Sequence, residues 1–158
     1  WENVIAEVPS CCTGNRVFDM KDQADRLKRV PEYKWKTEWV FELSEEFGRE
    51  QGIHSQTGGS HLCILASAGK TLYVSEDIGR HNALDKAAGY ALLNQLSLSE
   101  CMLFTSGRVP VDMVEKVITA GIPVLVSKSV PTKESVDMAR EYGLTLICRA
   151  WPDKCEIF

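Results

Sequence analysis

The sequence has no apolar run of 18 residues, which excludes a membrane-spanning helix of ordinary length. It also has no excess of base. Lys and Arg number 18 against 22 Asp and Glu, giving a formal charge of −4 and a pI near 5.4. Bulk binding of nucleic acid or anionic lipid needs the opposite balance, so no nucleic-acid partner and no membrane are expected. Neither G-x-G-x-x-G nor G-x-x-x-x-G-K-[ST] occurs, and neither standard nucleotide loop therefore applies. The zinc-deaminase signature is missing as well: His61 is followed by Leu62-Cys63 rather than x-Glu, and P-C-x-x-C is absent. No metal ligands are expected. No signal-peptide pattern opens the chain, which starts at Trp1 without an initiator Met and reads as a fragment.

What is present suits one core-bearing domain, with 158 residues of which 44% are hydrophobic. Cys63, Cys101 and Cys148 lie inside apolar runs, where a free Cys behaves as a small buried hydrophobe. A secreted disulfide framework would place its cysteines in the loops of a shorter chain, so a reduced, cytoplasmic protein is expected.

Residues Trp1–Val8 read as a short strand, and 17–31 as a charged loop or short helix. Trp35, Trp39, Val40, Leu43 and Phe47 recur at helical spacing and predict an amphipathic helix over about 34–51, its tryptophans facing the core. His54 reads as a solvated loop residue. Strands are expected at His61–Ser67 and Thr71–Ser75, joined as a hairpin by Ala68-Gly69-Lys70. Further strands at 101–105, 122–126, 144–148 and 154–158 alternate with helices of about ten residues stopped by Gly121 and Gly143. That alternation predicts an α/β fold with a largely parallel sheet covered on both faces. Residues 1–33 are read as an N-terminal segment carrying a cysteine loop, and 34–158 as the α/β domain.

Glu76–Lys86, E-D-I-G-R-H-N-A-L-D-K, stands out from this frame. An apolar run leads in and a helix with Ala83, Leu84, Ala87, Ala88, Ala91 and Leu92 on one face leads out. A connection that only turned the chain would need little besides Gly or Asn. The bland alternative is that Asp77 caps the helix while Glu76 and Arg80 pair on the surface. Three β-to-α junctions carry Arg80-His81-Asn82, Ser106-Gly107-Arg108 and Ser127-Lys128-Ser129. In a parallel sheet they fall at one edge and gather cations, hydroxyls and helix N-terminal amides there. That set suits a phosphate or pyrophosphate.

Cys11 and Cys12 sit in a small-residue loop with Thr13-Gly14. A thiol in such a loop can be exposed and reach the thiolate, the form that attacks and carries sulfur. A vicinal pair is poorly spaced for zinc ligands and awkward for a disulfide, neighbouring Cα atoms being about 3.8 Å apart.

These residues together resemble the FdhD/NarQ family of formate dehydrogenase accessory sulfurtransferases. The likeness rests on Thr57-Gly58-Gly59-Ser60-His61, on Glu76–Lys86, and on Ser106-Gly107-Arg108 with Met113-Val114-x-Lys116 and Ala120-Gly121-Ile122-Pro123. It extends to Ser127-x-Ser129-x-Pro131-Thr132 and runs in order from about residue 10 to the end. The resemblance implies a cytoplasmic protein with a cytidine-deaminase-like three-layer α/β/α fold, a mixed and mostly parallel sheet, and homodimers. It implies a persulfide carrier, with Cys11 and Cys12 as the candidate catalytic residues. Sulfur would come from a cysteine desulfurase and pass to the bis-molybdopterin guanine dinucleotide cofactor of formate dehydrogenase. GDP and GMP would be partial mimics of that cofactor. The alternative is a non-catalytic chaperone for the cofactor. Expected binding residues are Thr57, Gly58, Gly59, His61, Glu76, Asp77, Arg80, His81, Asn82, Lys86, Ser106, Gly107, Arg108, Ser127 and Ser129, with Arg149, Ala150, Trp151, Pro152, Asp153 and Lys154 near the C-terminus. Two departures are visible. The family loop commonly reads C-G-x-C-G, where this chain has Cys11-Cys12-Thr13-Gly14. The family's F-x-R-x-x-R segment has Trp151 at its first Arg position, leaving Lys154 as the charge there, with Arg149 close by. The β-rich region that precedes this loop in the family has no counterpart before Trp1.

Overall fold

The computed structural model describes residues 27–50 and 52–158. The Trp1–Val8 segment, the Cys11-Cys12 loop and most of the charged stretch after it lie outside the described residues. In chain order the elements are α1 (Thr37–Arg49), α2 (Ile53–Thr57), β1 (His61–Ser67), β2 (Lys70–Asp77) and α3 (Arg80–Leu93). There follow β3 (Met102–Thr105), α4 (Val111–Thr119), β4 (Val124–Ser127), α5 (Lys133–Tyr142), β5 (Thr145–Trp151) and β6 (Lys154–Ile157).

The strands form one six-stranded sheet ordered β2-β1-β3-β4-β5-β6. β3–β4 and β4–β5 are parallel neighbours, while β1 lies antiparallel between β2 and β3, and β6 lies antiparallel to β5. β2, β3, β4 and β5 therefore all point one way. Their carboxyl ends share an edge with the amino ends of β1 and β6, as the pairs His61↔Asp77 and Trp151↔Lys154 show.

Two cores flank the sheet. Cys63, Leu65, Leu103, Leu125, Leu146 and Cys148 face α3, α4 and α5. Leu62, Ile64, Met102, Phe104, Val126 and Ile147 face α1 through Val40, Leu43 and Phe47. Successive residues alternate between these two sets, as a pleated strand requires. Because both faces are covered, the central strands read as unbroken apolar runs rather than as alternating ones. Trp39 leans on the α1 core, as its helical spacing predicts, and Trp35 packs there from the segment before α1, which begins three residues later than expected.

The hairpin is closed by two residues, Ala68 (φ 48°) and Gly69 (φ 77°), between the paired Ser67 and Lys70. A turn with two left-handed residues matches strand twist. Gly69 also has to be Gly, since a Cβ there would lie 2.5 Å from Cδ1 of Trp39.

Three local features differ from the expectation. Val30 is buried and its N–H bonds Tyr142 O at 2.9 Å, so the α/β body reaches back past residue 34. β5 continues to Trp151 through a bulge at Arg149, which adopts φ 48°. α2 forms where a loop is expected. No described helix is long and apolar enough to cross a membrane.

Candidate functional site

At the β2-to-α3 junction the acids brace the backbone. Glu76 accepts from Ile53 N (2.9 Å) and His54 N (2.8 Å), fixing the start of α2 from 22 and 23 residues away. Gly52 cannot carry a side chain here, because a Cβ would come within 2.5 Å of Glu76 Oε1. Asp77 Oδ1 accepts from Gly79 N (2.9 Å) and Asn82 Nδ2 (3.1 Å), and its Oδ2 pairs with Lys86 Nζ at 2.7 Å. Lys86 also donates to Glu76 O at 2.8 Å. Glu76, Asp77, Asn82 and Lys86 thus spend most of their hydrogen bonds on one another and on the chain. The surface pair between Glu76 and Arg80 does not form.

The Lys86 hydrogen bond, helped by Gly79 N and Asn82, lowers the Asp77 carboxyl to about 2. A folded-state value below the unfolded one gives stability that is present above the ordinary carboxylate range and lost as pH falls through about 4 toward 2. Calorimetry at about pH 5 and about pH 3 should show a smaller fall in melting temperature for Asp77→Asn than for the parent chain. Equal falls would deny Asp77 this role.

Arg80 lies over Gly107, where an added Cβ would stand 3.1 Å from Arg80 Cβ. Its guanidinium is 3.8 Å from Asp112 Oδ2, and the side chain keeps only 12% of its exposure. His81 Nε2 comes to 3.1 Å from the same oxygen, off the line of a good hydrogen bond. His81, with a smaller contribution from Arg80, holds the Asp112 carboxyl below its usual range against the opposing effect of burial. Asp112 Oδ1 accepts from Met113 N at 2.9 Å, so this residue ties α4 to the head of α3. Sequence reasoning missed Asp112. Its one signal is an acid in the first turn of a helix that follows a cationic junction.

Hydroxyls stitch the other strand ends together. Thr105 Oγ1 accepts from Gly107 N (3.1 Å), and Ser106 Oγ accepts from Leu62 N (3.0 Å) and lies 3.5 Å from His61 Nδ1. Ser127 Oγ donates to Gly107 O (2.8 Å) and accepts from Ser129 N (3.0 Å). Arg149 N then donates to Ser129 O at 3.0 Å. Ser127 is fully buried, and it positions Gly107 and Ser129 rather than meeting solvent. Ala150 is buried in the α1 core. Thr57 Oγ1 accepts from Gly59 N (3.0 Å), and Gly58 turns with φ 62°, bringing this exposed loop to the amino end of β1. Pro152, Asp153 and Lys154 lie exposed at the β5–β6 connection on the same edge. Arg149 pairs with Glu156 at 3.0 Å beside a hollow of about 280 Å³. A larger hollow, about 490 Å³, lies by Tyr33, Trp39 and Ala68 at the far end of the sheet.

Cations gather around His61. His61 is driven toward its neutral form by burial first, then by the charges of Arg80, His54, Arg108 and His81. Arg80 and Arg108 therefore share one neighbourhood with all three histidines of the chain. His54, half-buried, rests its ring 5.5 Å from that of Phe47 and belongs to this cluster rather than to a solvated loop. Ser60 Oγ, Arg80 Nε and His81 Nε2 are buried without an aligned hydrogen-bond partner among the described residues. All three lie at this edge. Buried polar groups normally have a protein or water partner, so this concentration sets the edge apart from the rest of the fold. Among the described residues no three His, Cys, Asp or Glu are grouped to hold a metal ion.

Burial raises the thiols of Cys63 and Cys148 to about 12, and those of Cys101 and Cys155 less far. Cys63, Cys101 and Cys148 are buried packing residues, while Cys155 is half-buried.

Comparison with known proteins fits this arrangement. The chain matches the FdhD/NarQ family over residues 3–158. It belongs to that family. The sulfur carrier protein FdhD of Bacillus subtilis is 34% identical over 141 residues, which is 89% of this chain and 54% of that protein. Its namesake in Thermoplasma volcanium is 46% identical over 99 residues, covering 62% and 36%. The crystal structure of a Desulfotalea psychrophila protein, assigned as a formate dehydrogenase accessory protein, superposes with a TM-score of 0.76 at 30% identity. It covers 82% of this chain and 58% of the other. This FdhD/NarQ chain spans roughly half the length of those relatives or less.

Proposed function

We propose that the chain is a persulfide carrier that holds a guanine-dinucleotide molybdenum cofactor while sulfur is delivered to it for formate dehydrogenase. The observation that carries this reading is the cluster of cations and of buried polar atoms without an aligned hydrogen bond at the shared strand edge. Those groups fit the oxygens of a diphosphate. Arg80 and Arg108 would take them by charge-assisted hydrogen bonds, with Ser106, Ser129 and the Gly107 backbone as floor. The stem of Arg80 lies close over Gly107 and its side chain is largely buried, so little freedom remains to be lost on binding. When bound, the cofactor supplies the molybdenum that receives sulfur. The chain itself supplies orientation and partial exclusion of water.

Sulfur would reach the chain through Cys11 or Cys12. The loop thiolate attacks the outer sulfur of a cysteine desulfurase persulfide, and the desulfurase thiolate leaves. The family likeness and the burial of Cys63, Cys101 and Cys148 both support the loop in this role. Incubation with a cysteine desulfurase and ³⁵S-cysteine should label the parent chain and either single Cys→Ala variant, and leave the double variant unlabelled. Label on the double variant would remove the loop from the mechanism. GDP binding by a parent chain that never takes label would instead leave a cofactor chaperone. Homodimers, cytoplasmic location and formate dehydrogenase as final recipient belong to the same reading.

A further inference from the structure

Lys128 sits between the buried Ser127 and the half-buried Ser129 at the end of β4. Its side chain turns to the α1 face, where Nζ lies 4.6 Å from the Phe47 ring centroid and 4.5 Å from that of Trp151. Three other cations at this edge have an acid: Lys86 has Asp77, Arg80 has Asp112, and Arg149 has Glu156, while Arg108 stands exposed to solvent. Among the described residues Lys128 has no ion pair and no side-chain hydrogen bond. Two ring faces offset part of the lost hydration of an ammonium, yet they accept none of its three N–H bonds properly. Burial accordingly favours its neutral form.

Lys128 is half-buried, so its ammonium keeps N–H bonds to give while two rings hold it in place. Its place is informative. Phe47 joins Lys128 to His54 on one side, and Ser129 joins it to Arg149 on the other. Arg80 and His81 approach the same strand ends from the opposite helical layer. We propose that Lys128 is an anion-binding residue of this site, held in position by Phe47 and Trp151, and that it takes a phosphate oxygen of the ligand gripped from the other face by Arg80 and Arg108. A phosphorylated ligand then lies across the strand ends, between the two layers. The inference rests on the anion-site reading above and adds a residue to it. It also gives Trp151 a role of its own: the indole does not bind phosphate but carries the ammonium that does.

Titration calorimetry with GDP and with inorganic pyrophosphate, on the 158-residue chain, tests it. One charge-assisted hydrogen bond is worth roughly tenfold or more. Lys128→Met should weaken both ligands by about tenfold, Lys128→Arg should hold within about threefold, and Trp151→Leu should fall between them. Reductive methylation of the unaltered protein gives a second readout that needs no variant. Saturating GDP should slow modification of Lys128 while leaving the exposed Lys133 unchanged. If Lys128→Met binds like the parent while Arg80→Ala does not bind, or if GDP gives Lys128 no protection, the ammonium is merely packed and the proposal is wrong. If the parent binds neither GDP nor pyrophosphate, the anion-site reading falls and takes this inference with it.

Discussion

Replacing Arg80 and Arg108 together with alanine lowers GDP affinity by at least about 100-fold, since two charge-assisted hydrogen bonds contribute roughly 1.5 kcal/mol apiece at the low end. The melting temperature moves by only about 4 °C or less. The Arg80–Asp112 approach of 3.8 Å involves an acid 40% exposed, and pairs of that kind add about 1 kcal/mol or less. Arg108 is exposed and contributes to the fold even less. Calorimetric titration alongside a thermal melt separates the two effects. Loss of binding with an unchanged melt supports a site for oxyanions. Unchanged binding would mean that the cations at this edge serve only the protein's own carboxylates.

That expectation depends on how the edge is made, and the edge was only partly legible in the sequence. The alternation of apolar strands with helices near ten residues long was enough to place residues 80–82, 106–108 and 127–129 together, because parallel strands return in one direction. Ala68-Gly69 between two apolar runs was enough for the hairpin, which reverses β1 and so brings His61 to the same edge. What the sequence could not show was which polar groups the fold would use internally. Glu76 looks like a ligand contact by residue type, yet it caps a helix that local propensity does not predict. That helix, Ile53–Thr57, exists because a carboxylate 22 and 23 residues away satisfies its first amides. Asp112 was invisible for the converse reason, and so were the ring contacts of Lys128, which the sequence showed only as a junction cation. Each residue takes its place in the site only through a neighbour from another element.

Strand-end hydroxyls make the same point about rigidity. Ser106 and Ser127 look like candidate ligand groups because they sit at βα junctions, and Thr105 ends the strand before one of them. Their bonds to Leu62, Gly107 and Ser129 instead make one hydrogen-bonded seam from β1 to β5. A seam of this kind keeps Gly107 and Ser129 at fixed spacing, so cations contributed by different elements can meet one ligand without a large ordering cost.

Phe104→Ala separates fold from site most sharply. Phe104 is fully buried in the middle of β3, paired with Ile64 on one side and Val126 on the other, and its ring lies 5.2 Å from that of Phe47. Truncating such a ring removes its burial and leaves a cavity between the sheet and α1, at a cost of about 3–5 kcal/mol. For a chain of this length that corresponds to a fall in melting temperature of roughly 10 °C, readable by circular dichroism. The cavity opens directly beneath Phe47, one of the two rings that carry Lys128, while Arg80 and Gly107 belong to the other face of the sheet. GDP binding measured well below the new melting temperature should therefore weaken by only about as much as it does in Lys128→Met, roughly tenfold. A loss as large as that of the double arginine variant would show that the α1 layer positions the whole site, and not the lysine alone.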